Sequence, residues 1–209
     1  MADADDTLIR RADVRDIPGI HAVVTDAAEL GLMLHRSKEE LYEHVRDFHV
    51  AVDGDRVVGV CGLKIVWAHL AEVYALAVDP SQRGKGIGGR LVEHCLQDAE
   101  QLQVRNVMSL TYERSFFERL GFALCDRHEL PQKVWSECVR CLKNQNCDEI
   151  AMKRVIESVP APADAEYTRG GELNPPTARK QTIPMPIPVT VSAAAPRPVV
   201  EGPMDEPVE

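Results

Sequence analysis

Residues 79–91 read DPSQRGKGIGGRL and set Arg83 and Lys85 among Gly84, Gly86, Gly88 and Gly89, immediately before an amphipathic run. Glycine admits backbone with φ > 0 and lets a ligand approach the main chain closely. A helix that opens straight after such a loop presents amide N–H groups without intrahelical acceptors, at the positive end of its dipole. That combination suits an anion, above all a phosphate. Three glycine loops can be read here. A Walker loop requires Ser or Thr after its lysine, and Lys85 is followed by Gly86. Gly84, Gly86 and Gly89 spell G-x-G-x-x-G, but a dinucleotide fingerprint comes straight off the first strand of a βαβ unit, with an acidic residue at the tip of the next strand. Here a hairpin precedes the loop, DPSQR intervenes, and the following strand ends in Ser109, Leu110 and Thr111. The third reading takes the longer string VYALAVDPSQRGKGIGGRLVEHC and depends on the elements around it.

Those elements are legible in the pattern. TLIRRADVRDIPGIHAVVTDAAEL predicts a short strand and then a helix, with Asp16 as N-cap, Pro18 in the first turn, and Ile17, Ile20, Val24 and Ala27 as one apolar stripe. SKEELYEHVRD predicts a second helix with Ser37 and Glu40 at capping-box spacing. FHVAVDGDRVVGVCGLKIVW is two apolar runs broken at Asp53-Gly54, a hairpin signal. LAEVYALAV is a central strand ending at the glycine loop, and Leu91, Val92, Cys95, Leu96, Ala99 and Leu102 then keep helical spacing. NVMSLT, FALCDR and CDEIAMKRVI read as strands, with ERSFFERL a short helix stopped by Gly121. The expected architecture is α+β: a mixed, mostly antiparallel sheet with helices on both faces.

The chain has 209 residues and a net charge of −9. From Ser158 onward it changes character, taking eleven of the 14 prolines and Tyr167 as its only aromatic residue. Such a segment buries too little apolar surface to offset its ordering entropy. Residues 1–157 are therefore expected to form the folded domain and 158–209 a proline-rich disordered tail. The tail carries −3 of the charge, and the −6 that precedes it argues against a nucleic-acid partner. No stretch reaches the length of a membrane span and MADADDTLIRR has no apolar signal core, so no membrane partner and a cytoplasmic location are expected.

With its neighbours in place, VYALAVDPSQRGKGIGGRLVEHC resembles the acetyl-CoA signature of the GNAT family of N-acetyltransferases, Q/R-x-x-G-x-G/A, with Arg83, Gly86 and Gly88 at its fixed positions. IRRADVRDIPGI and SFFERLGF are similar to that family in the same order, and the resemblance covers about residues 7 to 155. It implies acetyl-CoA as co-substrate, with the main chain of Arg83, Gly84, Lys85, Gly86, Ile87 and Gly88 wrapping the pyrophosphate. It also implies that Leu76, Ala77 and Val78 pair with the pantetheine arm, and that a bulge in their strand aims one N–H at the thioester oxygen. Glu72 stands where the family places a general base, on the same strand face as Tyr74 and Leu76 unless a bulge intervenes. The family's usual acid, a tyrosine in F-Y-x-x-x-G-F, is replaced by Phe117 in FFERLGF. Tyr112 is the stand-in, the alternative being unassisted departure of the thiolate.

WAHLAEVYALAVDP, SFFERLGF, ELPQKVWSECVRC and CDEIAM are similar to short N-acetylglutamate synthase-like acetyltransferases, the acetyltransferase half of an arginine-pathway enzyme without its kinase half. The expected activity is acetyl transfer to a small amine, the α-amino group of glutamate or another amino acid. A non-catalytic acyl-CoA-binding module and a protein N-acetyltransferase are the alternatives, and a homodimer is compatible with each. An acceptor carboxylate needs a cation, for which His69, Arg114, Arg127 and Lys133 are candidates. Cys138, Cys141 and Cys147 spell C-x2-C-x5-C, with Cys125 and His128 upstream. No second C-x2-C completes the pattern, so reduced thiols are expected and no metal is assigned.

Overall fold

The structure, a computed structural model, describes residues 7–127, 130 and 147–161. Strand β1, Leu8–Arg11, leads through a short 3-10 turn, Val14–Asp16, into helix α1, Ile17–Glu29. Asp16 occupies the expected N-cap of α1, but its carboxylate makes no cap bond there. Arg10 claims it instead, with guanidinium nitrogens at 2.6 and 2.8 Å, and that bond holds the carboxyl below its ordinary range. Capping falls to Asp13, which forms a reciprocal box with Asp16 around the 3-10 turn. Helix α2, Lys38–Glu43, starts at the Ser37–Glu40 box and is shorter than the periodicity predicts, because a 3-10 turn, Val45–Asp47, takes its last residues.

Strands β2, Phe48–Asp53, and β3, Arg56–Trp67, form the expected hairpin, with Gly54 at φ +59 in its turn. Strand β4, Leu70–Val78, runs into the glycine loop and helix α3, Ile87–Gln101. Then come β5, Asn106–Thr111, α4, Arg114–Arg119, the two-residue β6, Ala123–Leu124, and β7, Ile150–Val155. The seven strands stand in the order β1-β2-β3-β4-β5-β7-β6, and β4–β5 is the parallel pair in an otherwise antiparallel ladder.

Helices cover both faces. Ile17, Ile20 and Val24 of α1 and Leu41 of α2 pack on Phe48, Val50, Val60 and Tyr74. On the opposite face Leu91, Val92, Cys95, Leu96 and Ala99 of α3 and Phe117 of α4 pack on Val58, Cys61, Leu63, Ala71 and Val73. No helix among the described residues is long and apolar enough to cross a membrane.

Most of the expected tail lies outside the described residues, but its first residues do not. Val159, on the tail side of the boundary drawn after residue 157, is 3% exposed. Its carbonyl accepts a hydrogen bond from the Arg105 guanidinium. Core packing thus continues a few residues past β7.

Candidate active site

Two irregularities in β4 create the site. The first is that β4 and β5 share only three rungs, Leu70↔Asn106, Ala71↔Val107 and Glu72↔Met108. Beyond Glu72 the strands part, and β5 keeps its other neighbour β7 as far as Thr111↔Ile150. The half of β4 from Val73 to Val78 therefore has ladder partners on its β3 side alone among the described strands. The second is a bulge. Between the pairs Gly62↔Tyr74 and Val60↔Ala77, two residues of β4, Ala75 and Leu76, oppose the single Cys61 of β3. Ala75 takes φ +50, a left-handed value uncommon outside glycine. Glu72 and Tyr74 share a face, but the bulge sends Leu76 to the other one, where it packs against the α3 cluster while Ala75 and Ala77 join the α1 cluster. Unbroken alternation, which would place Leu76 beside Glu72, does not hold.

The open V between β4 and β5 is a cleft of about 760 Å³, lined by Glu72 to Val78, the glycine loop, Ser109 to Glu113, Phe116 and Phe117. At the loop end Gly84 and Gly86 take φ +81 and +79, and a Cβ at either would meet nothing within 4 Å. These glycines are required by backbone conformation rather than by crowding. Gly88 is different: it lies inside α3, and a Cβ there would touch Phe116 at 3.5 Å, an ordinary contact. Its bareness keeps the cleft wall low. The first intrahelical bond runs from Arg90 N–H to Gly86 O at 3.1 Å, so the amides of Ile87, Gly88 and Gly89 come before the α3 ladder begins. The Ile87 side chain is 1% exposed in the core, leaving only its main chain to face a ligand. Arg83 lines the cleft while its Nε donates to Val78 O at 3.3 Å. Lys85 does not line it; its ammonium donates to Gln82 Oε1 at 2.6 Å.

At the other end, Glu72 is 4% exposed and occupies the last shared rung, at the vertex of the V. Lys64 is its cross-strand partner on β3. Tyr112 lies just past β5, 38% exposed, and its hydroxyl donates to Asp148 Oδ1 at 3.1 Å. Phe117 is 3% exposed and packs edge-on against Phe116 and Phe122, both at 5.1 Å, so the position of the usual acid is part of the core.

Of the cations expected to hold an acceptor's carboxylate, the three that are described, His69, Arg114 and Arg127, do not line the cleft. Arg114 pairs with Glu118 at 2.8 Å, Arg127 does not line the site, and burial pushes the His69 imidazole down, leaving it neutral. Lys133 falls outside the described residues. Arg36 and Arg119 line the cleft instead. Arg36 stacks on the Tyr74 ring, its guanidinium carbon 4.8 Å from the ring centre. That ring is fixed in turn: its hydroxyl donates to Asp47 at 3.1 Å, Phe48 stacks at 5.4 Å, and Gly62 leaves the space it fills. A Cβ at residue 62 would come within 2.5 Å of the ring. Arg36 lies in the connection between α1 and α2, where no periodicity marks it. The only available cue is its place before the Ser37 cap.

Cys138, Cys141 and His128 fall outside the described residues, and Cys147 donates to Glu149 Oε2 at 3.6 Å. Among the described residues no group of three or more His, Cys, Asp or Glu side chains could hold a metal ion.

A half-open strand, a left-handed bulge, and a helix N-terminus reached through two left-handed glycines define an acyl-CoA-binding acetyltransferase site. Residues 20–122 match the acetyltransferase (GNAT) family. An N-acetyltransferase of Chlorobaculum tepidum, itself uncharacterized, is 39% identical over 73% of this chain and 99% of its own length. An amino-acid acetyltransferase of Mycobacterium tuberculosis is 37% identical over 64% of this chain and 78% of its own length. The chain belongs to the GNAT family and is an N-acetyltransferase, with acetyl-CoA as its co-substrate. Among solved structures, a Mycobacterium tuberculosis protein in complex with CoA and NLQ superposes with a TM-score of 0.63 at 32% identity, over 71% of this chain and 99% of that one. N-acetylglutamate synthase of Neisseria gonorrhoeae, complexed with coenzyme A and N-acetyl-glutamate, gives 0.64 at 26% identity, over 74% of this chain but 36% of that one.

The residues present fit CoA. Consecutive amides ahead of the α3 ladder suit a pyrophosphate, and the edge of β4 that has no ladder partner among the described strands suits the two amides of a pantetheine arm.

Proposed function

We propose that the protein acetylates the α-amino group of glutamate or another amino acid, the amine attacking the thioester directly while both substrates are bound. The observation that carries this reading is the placement of Glu72: a carboxylate 4% exposed, at the vertex where β4 and β5 separate, in one cleft with the glycine loop and Arg36. Relatives named amino-acid acetyltransferases support the same acceptor class.

Acetyl-CoA supplies an acyl group already activated as a thioester. Arg83 through Gly88 hold the pyrophosphate by main-chain N–H groups, and Leu76 to Val78 hold the pantetheine arm as an added strand. The bulge at Ala75 turns a peptide group out of the ladder, so that an N–H can donate to the carbonyl oxygen as charge develops there. Glu72 takes the proton of the acceptor ammonium, directly or through water, and frees the lone pair. Arg36, held over the Tyr74 ring, pairs with an acceptor carboxylate through its planar fork. Tyr112 gives its single proton to the departing thiolate, its hydroxyl turning away from Asp148 Oδ1 to do so. An acceptor of this kind fits a cytoplasmic enzyme of amino-acid metabolism, with arginine biosynthesis the pathway in view.

The test is CoA release from acetyl-CoA with amino acids, polyamines and peptides offered in turn. Stimulation by glutamate or another amino acid well above hydrolysis is expected. Stimulation by peptides alone would replace the small-molecule reading with a protein acceptor, and no stimulation by any amine would overturn it.

A further inference from the structure

A polar row lies inside the sheet–α3 layer, on the side of the fold away from the acceptor. Arg11 of β1, His49 of β2 and Cys61 of β3 are register partners, Arg11↔His49 and His49↔Cys61, and so run side by side across three strands. Helix α3 presents Cys95 and Asp98 to them. Arg11 pairs with Asp98 Oδ1 at 2.7 Å, and His49 Nε2 stands 3.2 Å from Asp98 Oδ2. Cys95 Sγ is 3.8 Å from His49 Nδ1 and 3.5 Å from Cys61 Sγ. Exposure falls along the row, from 58% of the Arg11 side chain through 11% for Asp98 and 4% for His49 to zero at both thiols. Apolar side chains would fill these positions at lower desolvation cost, so packing alone does not account for the row.

We propose that Cys61 and Cys95 form a reversible disulfide under hydroperoxide stress, latching α3 to β3 and weakening acetyl-CoA binding. A carboxylate only accepts, so the proton shared with Asp98 sits on His49 Nε2, and in that neutral tautomer Nδ1 is the acceptor facing Cys95 Sγ at 3.8 Å. The arrangement is that of a nucleophile, a base and the group that orients the base. Burial and the bond to Cys61 push the Cys95 thiol well above its ordinary range. Cys95 therefore rests as the thiol, and burial of both sulfurs keeps bulky thiol reagents away. Oxidation begins when His49 takes the Cys95 proton and the sulfur attacks one oxygen of hydrogen peroxide. The O–O bond breaks, hydroxide leaves and gains a proton as water, and Cys95 becomes a sulfenic acid. Cys61, losing its proton, then attacks that sulfur, the S–O bond breaks, and the second water leaves. Two thiols and one peroxide give one disulfide and two waters, the two electrons passing from sulfur to oxygen.

A disulfide brings the sulfurs to about 2.05 Å. Closing from 3.5 Å draws Cys95 toward β3, and Cys95 lies on the same rigid helix whose first amides stand at the glycine loop. Displacing that helix end loosens the phosphate contacts. A dithiol reductant restores them.

The full chain is treated with hydrogen peroxide, free thiols are alkylated, and non-reduced peptides are mapped by mass spectrometry alongside calorimetry with acetyl-CoA. The expected result is a Cys61–Cys95 cross-linked peptide, several-fold weaker acetyl-CoA binding, and recovery of both with a dithiol. Cys95→Ser, or Cys61→Ala if that variant misfolds, should abolish the peroxide effect on affinity. The proposal fails if only other cysteines oxidise, if the cross-link forms without changing affinity, or if the affinity loss persists in the variant. The cross-link mapping stands apart from the acceptor assignment, which CoA-release assays test separately.

Discussion

The two ends of the cleft are built from different materials. The donor end is main chain: amides of α3, two glycines held at φ +81 and +79, and a strand edge freed by the parting of β4 and β5. Its residues are contiguous, from Leu76 to Gly89. The end proposed for the acceptor is side chain: Glu72, Arg36, Tyr74 and Tyr112 come from three separate stretches and line one cleft through sheet register and a cation held over a ring. Backbone recognition serves an invariant ligand, because any sequence with the right glycines reproduces it. Side-chain recognition serves a variable ligand, since each residue can change without disturbing the loop.

That contrast demands separable defects. Glu72→Gln should show the largest effect, cutting turnover by about 10²–10⁴-fold, the usual contribution of a positioned base, with acetyl-CoA affinity unchanged by calorimetry. Its pH–rate profile should rise toward the acceptor amine's own pKa, where free amine no longer needs a base. A variant whose rate stays flat with pH, or whose acetyl-CoA affinity falls in parallel, would blur the two halves. Gly86→Val attacks the other end. Left-handed backbone costs a side-chain-bearing residue about 1–2 kcal/mol, and the strain is expected to collapse the loop locally. Acetyl-CoA affinity should fall by about tenfold or more, with circular dichroism unchanged. Gly88→Ala separates strain from crowding: its helical backbone accepts a methyl group without strain, so any loss of affinity there reports the methyl standing in the cleft wall.

The contrast also explains what the sequence disclosed. Glycines and the cations among them mark a loop locally, so Arg83 to Gly88 could be read from thirteen residues. The order of strands and helices followed from period and turn chemistry for the same reason. Arg36 could not be found that way, because its place at the cleft rests on Gly62 and Asp47 receiving the Tyr74 ring, contacts that join distant residues. The face of Leu76 turned on whether the bulge implied by the resemblance falls before it, and its exact place leaves no compositional mark when the residue at φ +50 is an alanine. Asp16 stands at the N-cap position that the sequence marks, but its cap bond is missing because Arg10, six residues away, out-competes the helix for its carboxylate.

Arg36→Ala tests the acceptor end without touching proton transfer. Loss of a charged hydrogen-bonding partner is expected to raise the acceptor KM by about tenfold or more, with acetyl-CoA KM unchanged. Arg36→Lys should recover little, because the stacked planar fork is lost with the guanidinium. Equal activity in both variants and the parent would remove Arg36 from the acceptor site. Tyr112→Phe should have a smaller effect, less than about tenfold on kcat, since a CoA thiolate is a tolerable leaving group near neutral pH. An unchanged rate would assign departure of the thiolate to no protein acid.

The smallest effect belongs to neither end of the cleft. We propose that the chain beyond residue 161 contributes nothing to the folded domain, while residues 158–161 do. Val159 is buried at 3% exposure and its carbonyl accepts from Arg105, and the Ser158 hydroxyl donates to Glu100 near the C-terminus of α3. Burying a valine and one hydrogen bond to a charged group together amount to about 3–6 kcal/mol before the entropy of fixing four residues is set against them. A net loss near 1 kcal/mol corresponds to about 2–4 °C in a domain of this size. Truncation after residue 161 should therefore leave Tm unchanged, and truncation after residue 157 should lower it by a few degrees. Both forms should retain the parent's acetyl-CoA affinity and acceptor KM, because the docked residues lie at the end of α3 remote from the glycine loop. A drop in Tm for the longer form would show that residues past 161 pack on the domain. A loss of acetyl-CoA affinity in the shorter form alone would show that the far end of α3 helps set its N-terminus, making the donor site depend on more than its contiguous backbone.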